Sequence, residues 1–112
     1  MSSLVAGVPL DSRALSRVGA VLADSTRCRI LARLAEAPAY PADLALYLDT
    51  TRANVSNHLA CLRAHGLVLG TPEGRRVRYR LANPVLGDAL HGLVAALGDA
   101  DPHAGAGRDG DR

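Results

Sequence analysis

From Thr51 to Val68 the chain runs TRANVSNHLACLRAHGLV, and this segment restricts the possible folds more than any other. It reads as a helix with a polar front and an apolar back. Gly66 would stop it in the left-handed conformation, and a strand follows. The first two turns carry Thr51, Arg52, Asn54, Ser56, Asn57 and His58. These are the donors and acceptors that meet phosphates and base edges in a major groove. Asn and Arg can pair bidentately with A and G, while Ser and Thr reach bases or phosphates. The rear carries Cys61 and His65, four residues apart on one face and about 6 Å apart along the axis. A thiolate and an imidazole at that spacing can share one ion in the tetrahedral N/S environment that Zn(II) accepts. The same residues also admit a plainer account: a capped, solvated helix start, a small buried thiol, and a histidine at a helix end.

The flanking sequence supplies the rest of a domain. Asp11 or Ser12 can cap a first helix with Leu15, Val18, Val21 and Leu22 on its apolar side. Asp24-Ser25-Thr26 opens a second helix with Cys28, Ile30, Leu31 and Leu34 inward, ending before Pro38. Pro41 starts a short third helix, with Leu44, Leu46 and Leu48 as core candidates. After the Thr51 helix, Leu67–Thr71 and Val77–Leu81 read as strands joined by the turn Pro72-Glu73-Gly74-Arg75. Alternation puts Arg76, Arg78 and Arg80 on one strand face and Val77, Tyr79 and Leu81 on the other. Asn83-Pro84 caps a last helix with Val85, Leu86, Leu90, Leu93, Val94 and Leu97 as its apolar set.

The predicted order is α-α-α-α-β-β-α, a mainly α fold with a β-hairpin wing: a winged helix-turn-helix. The domain is expected over residues 11–98, with a loose arm at 1–10 and a tail at 99–112 that is disordered when free. Arg75, Arg76 and Arg78 of the wing are candidate phosphate or minor-groove contacts. The apolar first and last helices could pair with a second copy.

Composition narrows the function. The 112 residues fit one domain with a modest core. With three Tyr and no Phe or Trp, that core must be Leu, Val, Ala and Ile. All 13 basic residues are Arg, yet the net charge is only +2, so charge placement carries the argument for nucleic acid. No stretch approaches the roughly 20 apolar residues of a membrane span, and no signal peptide is visible. Two cysteines are too few for a disulfide scaffold, so a reduced cytoplasmic setting is expected. No nucleophile–base arrangement or phosphate-cradling glycine loop suggests an enzyme.

Four motifs together resemble the ArsR/SmtB family of bacterial metal-sensing repressors. They are Leu22-Ala23-Asp24-Ser25-Thr26-Arg27-Cys28-Arg29-Ile30-Leu31, Val55-Ser56-Asn57-His58-Leu59-Ala60-Cys61-Leu62-Arg63, Gly66-Leu67-Val68, and Glu73-Gly74-Arg75-Arg76-Val77-Arg78-Tyr79. The likeness covers about residues 12–98 and is strongest to the family's cadmium- and lead-sensing branch. It implies a homodimer that represses its own operon by binding double-stranded operator DNA and is released by a metal ion. In that branch three cysteines hold the ion, two on this helix and one in the tail. Cys61 matches the first; His65 and His103 stand where the second and third fall. Three thiolates suit Cd(II) and Pb(II), whereas one thiolate with two imidazoles also admits Zn(II), Co(II), Ni(II) or copper. The family's last-helix site lacks its ligands here, and Asp88 with His91 is a weak substitute. The competing reading is a repressor of this type without metal sensing, answering to thiol oxidation at Cys28 and Cys61 or to another signal.

Overall fold

A computed structural model of the chain describes residues 7–98. Five helices and one hairpin follow in the predicted order: α1 Ser12–Leu22, α2 Ser25–Glu36, α3 Pro41–Leu48, α4 Arg52–Ala64, β1 Val68–Glu73, β2 Arg76–Leu81 and α5 Pro84–Leu97. Local chemistry sets most of these boundaries. The Asp11 carboxylate accepts from the Arg13 and Ala14 N–H groups, so Asp11 rather than Ser12 caps α1. Asp24 accepts from the Arg27 N–H, and Asn83 from the Val85 N–H, in the same role. At the α1–α2 corner Arg27 Nε donates to the Val21 carbonyl at 2.8 Å. The Cys28 thiol donates to the Leu22 carbonyl at 3.0 Å. Both satisfy carbonyls that the end of α1 leaves without helical partners.

The core forms where α2, α3 and α4 meet. Ile30, Leu31 and Leu34 come from α2, Leu44, Ala45 and Leu48 from α3, Val55, Leu59 and Leu62 from α4, and Leu67 and Val68 close it from the hairpin side. Leu46 is not part of it, against expectation, and is 83% exposed. On a two-turn helix, residues two apart lie about 200° round from each other, so a face holding Leu44, Ala45 and Leu48 must turn Leu46 to solvent. Cys28 is half-buried at the edge of the core rather than within it.

Strands β1 and β2 pair antiparallel from Val68↔Leu81 to Glu73↔Arg76. Each is longer than expected at the turn end, because the loop is only Gly74-Arg75. Gly74 has φ +63°, which fits the primed turn that a two-residue hairpin favours. Beyond the predicted elements, Ala39 forms an antiparallel bridge to Tyr79 on β2, with N–H···O distances of 3.0 and 2.8 Å in the two directions. The residue pair before α3 is thereby tied to the wing.

Helices α1 and α5 flank the core and contribute little to it. Val21 is the one fully buried side chain of α1, while Leu15 is 54% exposed. Leu86 and Leu90 of α5 pack against the core, whereas Leu93, Val94 and Leu97 face solvent. An apolar groove of about 760 Å³ runs between α2 and α5, lined by Leu22, Leu31, Ala35, Leu90 and Val94 among others.

Candidate nucleic-acid interface and metal ligands

Helix α4 begins at Thr51, whose hydroxyl accepts from the Asn54 N–H at 3.0 Å. The Asn54 side-chain amide donates to the Thr50 hydroxyl, also at 3.0 Å. Thr51 and Asn54 thus fix the helix start, and Asn54 is half-buried. Arg52, Ser56 and Asn57 are exposed and form the outward set. His58 is half-buried and close to Asp24, the cap of α2. The Asp24 carboxyl is held below its ordinary value mainly by the Arg27 N–H, with smaller contributions from His58 and the Arg27 guanidinium. Of the six predicted reading residues, three therefore point outward and three have partners or neighbours within the protein.

The opposite end of α4 is closed by a two-bond cap. The Leu67 N–H donates to the Leu62 carbonyl at 2.9 Å and the Gly66 N–H to the Arg63 carbonyl at 3.0 Å. This is the Schellman arrangement, and it requires the left-handed backbone that Gly66 adopts at φ +77°. The chain then enters β1 directly, so Gly66 sets how the wing leaves the recognition helix.

The wing presents its arginines as alternation predicts. Arg76, Arg78 and Arg80 are exposed, and Val77, Tyr79 and Leu81 are half-buried. Two of the arginines are not loose. Arg78 pairs with Glu73 Oε2 at 2.9 Å, and the Arg76 guanidinium lies 3.4 Å from the centre of the Tyr40 ring. Tyr40 Oη donates to Glu73 Oε1 at 2.6 Å, and this carboxylate acceptor raises the phenol above its ordinary value. Arg75, at the tip, is exposed. Sequence reasoning missed Tyr40 and Glu73 as members of this surface. They are 33 residues apart, and the nearest sequence sign is Glu73 beside the arginine run.

Cys61 and His65 come together as their spacing requires. Cys61 Sγ lies 3.9 Å from His65 Nδ1, and Nδ1 lies 2.8 Å from the Cys61 carbonyl oxygen. A carbonyl only accepts, so Nδ1 carries the proton and Nε2 keeps its lone pair for an ion. A backbone carbonyl holding one imidazole nitrogen is the usual support for a metal-binding histidine. The 3.9 Å separation is to Nδ1, so it sets the two residues side by side; the donor set suits a tetrahedral ion site, and Nε2 would have to turn toward Sγ for the two to share one. Among the described residues no three His, Cys, Asp or Glu side chains gather to complete it. His103, the predicted third ligand, lies outside the described residues. Asp88 is exposed, and His91 is engaged with the Gly87 carbonyl at 2.9 Å. Cys28 and Cys61 are both free thiols. No described helix is long and apolar enough to cross a membrane.

Known proteins resemble this chain in sequence and fold. The model of the family described as "Bacterial regulatory protein, arsR family" matches residues 24–69, which span α2 to the start of β1. The HTH-type transcriptional regulator CmtR of Mycobacterium tuberculosis is 58% identical over 84 residues, 75% of this chain and 71% of that protein. The solved NMR structure of the cadmium metal-sensor CMTR from M. tuberculosis superposes with a TM-score of 0.61 at 57% identity, covering 70% of this chain and 82% of that one. A homodimeric winged helix-turn-helix DNA-binding domain from Mycobacterium bovis matches with a TM-score of 0.69 at 29% identity over 90% of each chain.

Proposed function

The chain belongs to the arsR family of bacterial regulatory proteins, and on that premise we propose that it is a homodimeric repressor released from operator DNA by a metal ion. It is a transcriptional regulator and not an enzyme. The observation that carries the metal reading is the 3.9 Å approach of Cys61 to His65 on the same helix that presents Arg52, Ser56 and Asn57.

Three surfaces share the work. Arg52, Ser56 and Asn57 enter the major groove, with Thr51, Asn54 and His58 supporting the helix start. Arg75, Arg76 and Arg78 meet backbone phosphates. A second copy covers the groove between α2 and α5 and the exposed Leu93, Val94 and Leu97, as the apolar surface there favours. Cys61 and His65 would hold the ion, with His103 as the third ligand, from the same or the partner subunit. A bound ion would supply a positive centre for these donors, and drawing His103 to it would favour a dimer posture whose recognition helices no longer match successive major grooves. A differential affinity of only about 1.4 kcal/mol changes DNA affinity tenfold.

One thiolate and two imidazoles leave selectivity among Cd(II), Pb(II), Zn(II), Co(II), Ni(II) and copper to be measured. The test is fluorescence anisotropy on a duplex covering the DNA upstream of its own gene, with and without each ion, under reducing conditions. Weakening by one or two ions, lost in Cys61→Ser and His65→Ala, is expected. Tight binding untouched by every ion would retain the repressor and remove the sensor. Release by oxidant alone would move the signal to the two thiols.

A further inference from the structure

The groups around the wing form a closed chain that the DNA-binding reading does not by itself require. The Ala39–Tyr79 bridge brings the segment before α3 against β2, and antiparallel register sets Tyr40 opposite Arg78. Tyr40 is the residue before the first turn of α3, yet its side chain makes no capping bond to that helix. Its two functional parts are turned to the wing instead. The hydroxyl takes one oxygen of Glu73, Arg78 takes the other, and the ring lies beneath Arg76.

We infer that Tyr40 is a positioning residue for the wing: its hydroxyl acts through Glu73, and its ring supports Arg76, so that Arg76 and Arg78 are held ready for phosphate. This rests on the wing meeting DNA. Exposed arginines are rotamer-rich, and ordering one such side chain on binding weakens association by about two- to tenfold. Side chains ordered beforehand avoid much of that penalty. A guanidinium over an aromatic face keeps its outward N–H groups available, so stacking and phosphate binding are compatible. The same phosphates are neutralised with or without this device; only the free energy of ordering the arginines changes.

That distinction gives the test. The full chain is titrated by anisotropy onto the same upstream duplex over a series of salt concentrations. The variants are Tyr40→Phe, Tyr40→Leu and Arg76→Ala, each checked by circular dichroism and unfolding midpoint. Tyr40→Leu, which removes ring and hydroxyl, is expected to bind about tenfold more weakly at every salt concentration with an unchanged log–log slope. Tyr40→Phe, which keeps the ring, is expected to recover to about threefold. Arg76→Ala is expected to flatten the slope, by about 0.9 for each phosphate left without its arginine. Binding by Tyr40→Leu within twofold of the parent, while Arg76→Ala flattens the slope, would overturn the positioning role alone. A slope in Tyr40→Leu as flat as in Arg76→Ala would also overturn it, since fewer phosphates would then be neutralised. If Arg76→Ala changes neither slope nor affinity, Arg76 does not meet phosphate, and the positioning role falls with that contact, while Arg75 and Arg78 still test whether the wing meets DNA. Should Tyr40→Leu fail to fold, Tyr40→Phe decides: equality with the parent refutes the role.

Discussion

Gly66→Ala isolates one backbone conformation at the junction between recognition helix and wing. Gly66 sits at φ +77°, and a Cβ built there meets nothing within 4 Å. Steric exclusion by neighbours therefore contributes nothing, and the cost is that of holding an L-residue in the left-handed region, about 1–2 kcal/mol. Reduced freedom of the unfolded chain offsets part of it, but at positive φ the strain outweighs that gain. The expected net loss is about 1 kcal/mol, with the two cap bonds from Leu67 and Gly66 retained. Asn tolerates this region better, so Gly66→Asn is expected to lose less than Gly66→Ala. Gly19 lies within α1 at an ordinary φ and also has open space at its Cβ, so Gly19→Ala is expected to gain roughly 0.5–1 kcal/mol. Urea unfolding at fixed protein concentration measures all three through shifts of midpoint at constant m-value. Equal destabilisation by Ala and Asn, or no destabilisation by Ala, would refute the argument that conformation alone demands glycine at this junction.

Arg75→Ala removes an exposed tip charge that has neither Glu73 nor Tyr40 as a partner, and in a dimer using both wings it is expected to flatten the salt slope of DNA binding by about 1.8. Anisotropy on specific and random duplexes checks it; a change confined to the specific duplex would contradict a phosphate role. Asp24 has a lowered pKa, so its charged form contributes stability above the ordinary value of 3.8, and that contribution disappears as pH falls through the lower folded value. Thermal melts should therefore show the parent losing more stability than Asp24→Asn in this acid window, with the two curves drawing together; parallel curves would count against it. Deleting residues 99–112, which include His103, is expected to preserve DNA binding and abolish metal-induced release, both read by anisotropy. A truncated chain that still releases DNA with metal would remove His103 from the ligand set.

Features set by neighbours in sequence are legible without the fold. Asp24, Thr51 and Asn83 cap helices because a short polar side chain reaches N–H groups two or three residues ahead. Cys61 meets His65 because four residues make about one helical turn, and the wing arginines share a face because strand side chains alternate. The errors arise where tertiary packing chooses among local options. Leu46 is as apolar as Leu44 and Leu48, yet α3 offers the core one face only. Cys28 falls on an apolar stripe, but the end of α1 draws its thiol to the Leu22 carbonyl. The Tyr40–Glu73 bond and the Ala39–Tyr79 bridge join distant residues, and no periodicity within either segment announces them.

The bridge between Ala39 and Tyr79 has a mechanical consequence. Because it fastens the entry of the helix-turn-helix to the second strand of the hairpin, α3, α4 and the wing cannot hinge independently without breaking two backbone hydrogen bonds. They form one lever arm. A rotation imposed at its inner end would be carried by the whole arm and become a larger displacement at the tip near Arg75. Amide exchange at Ala39 and Tyr79 would then open together, as a single cooperative event, rather than as separate fraying of a loop and a strand.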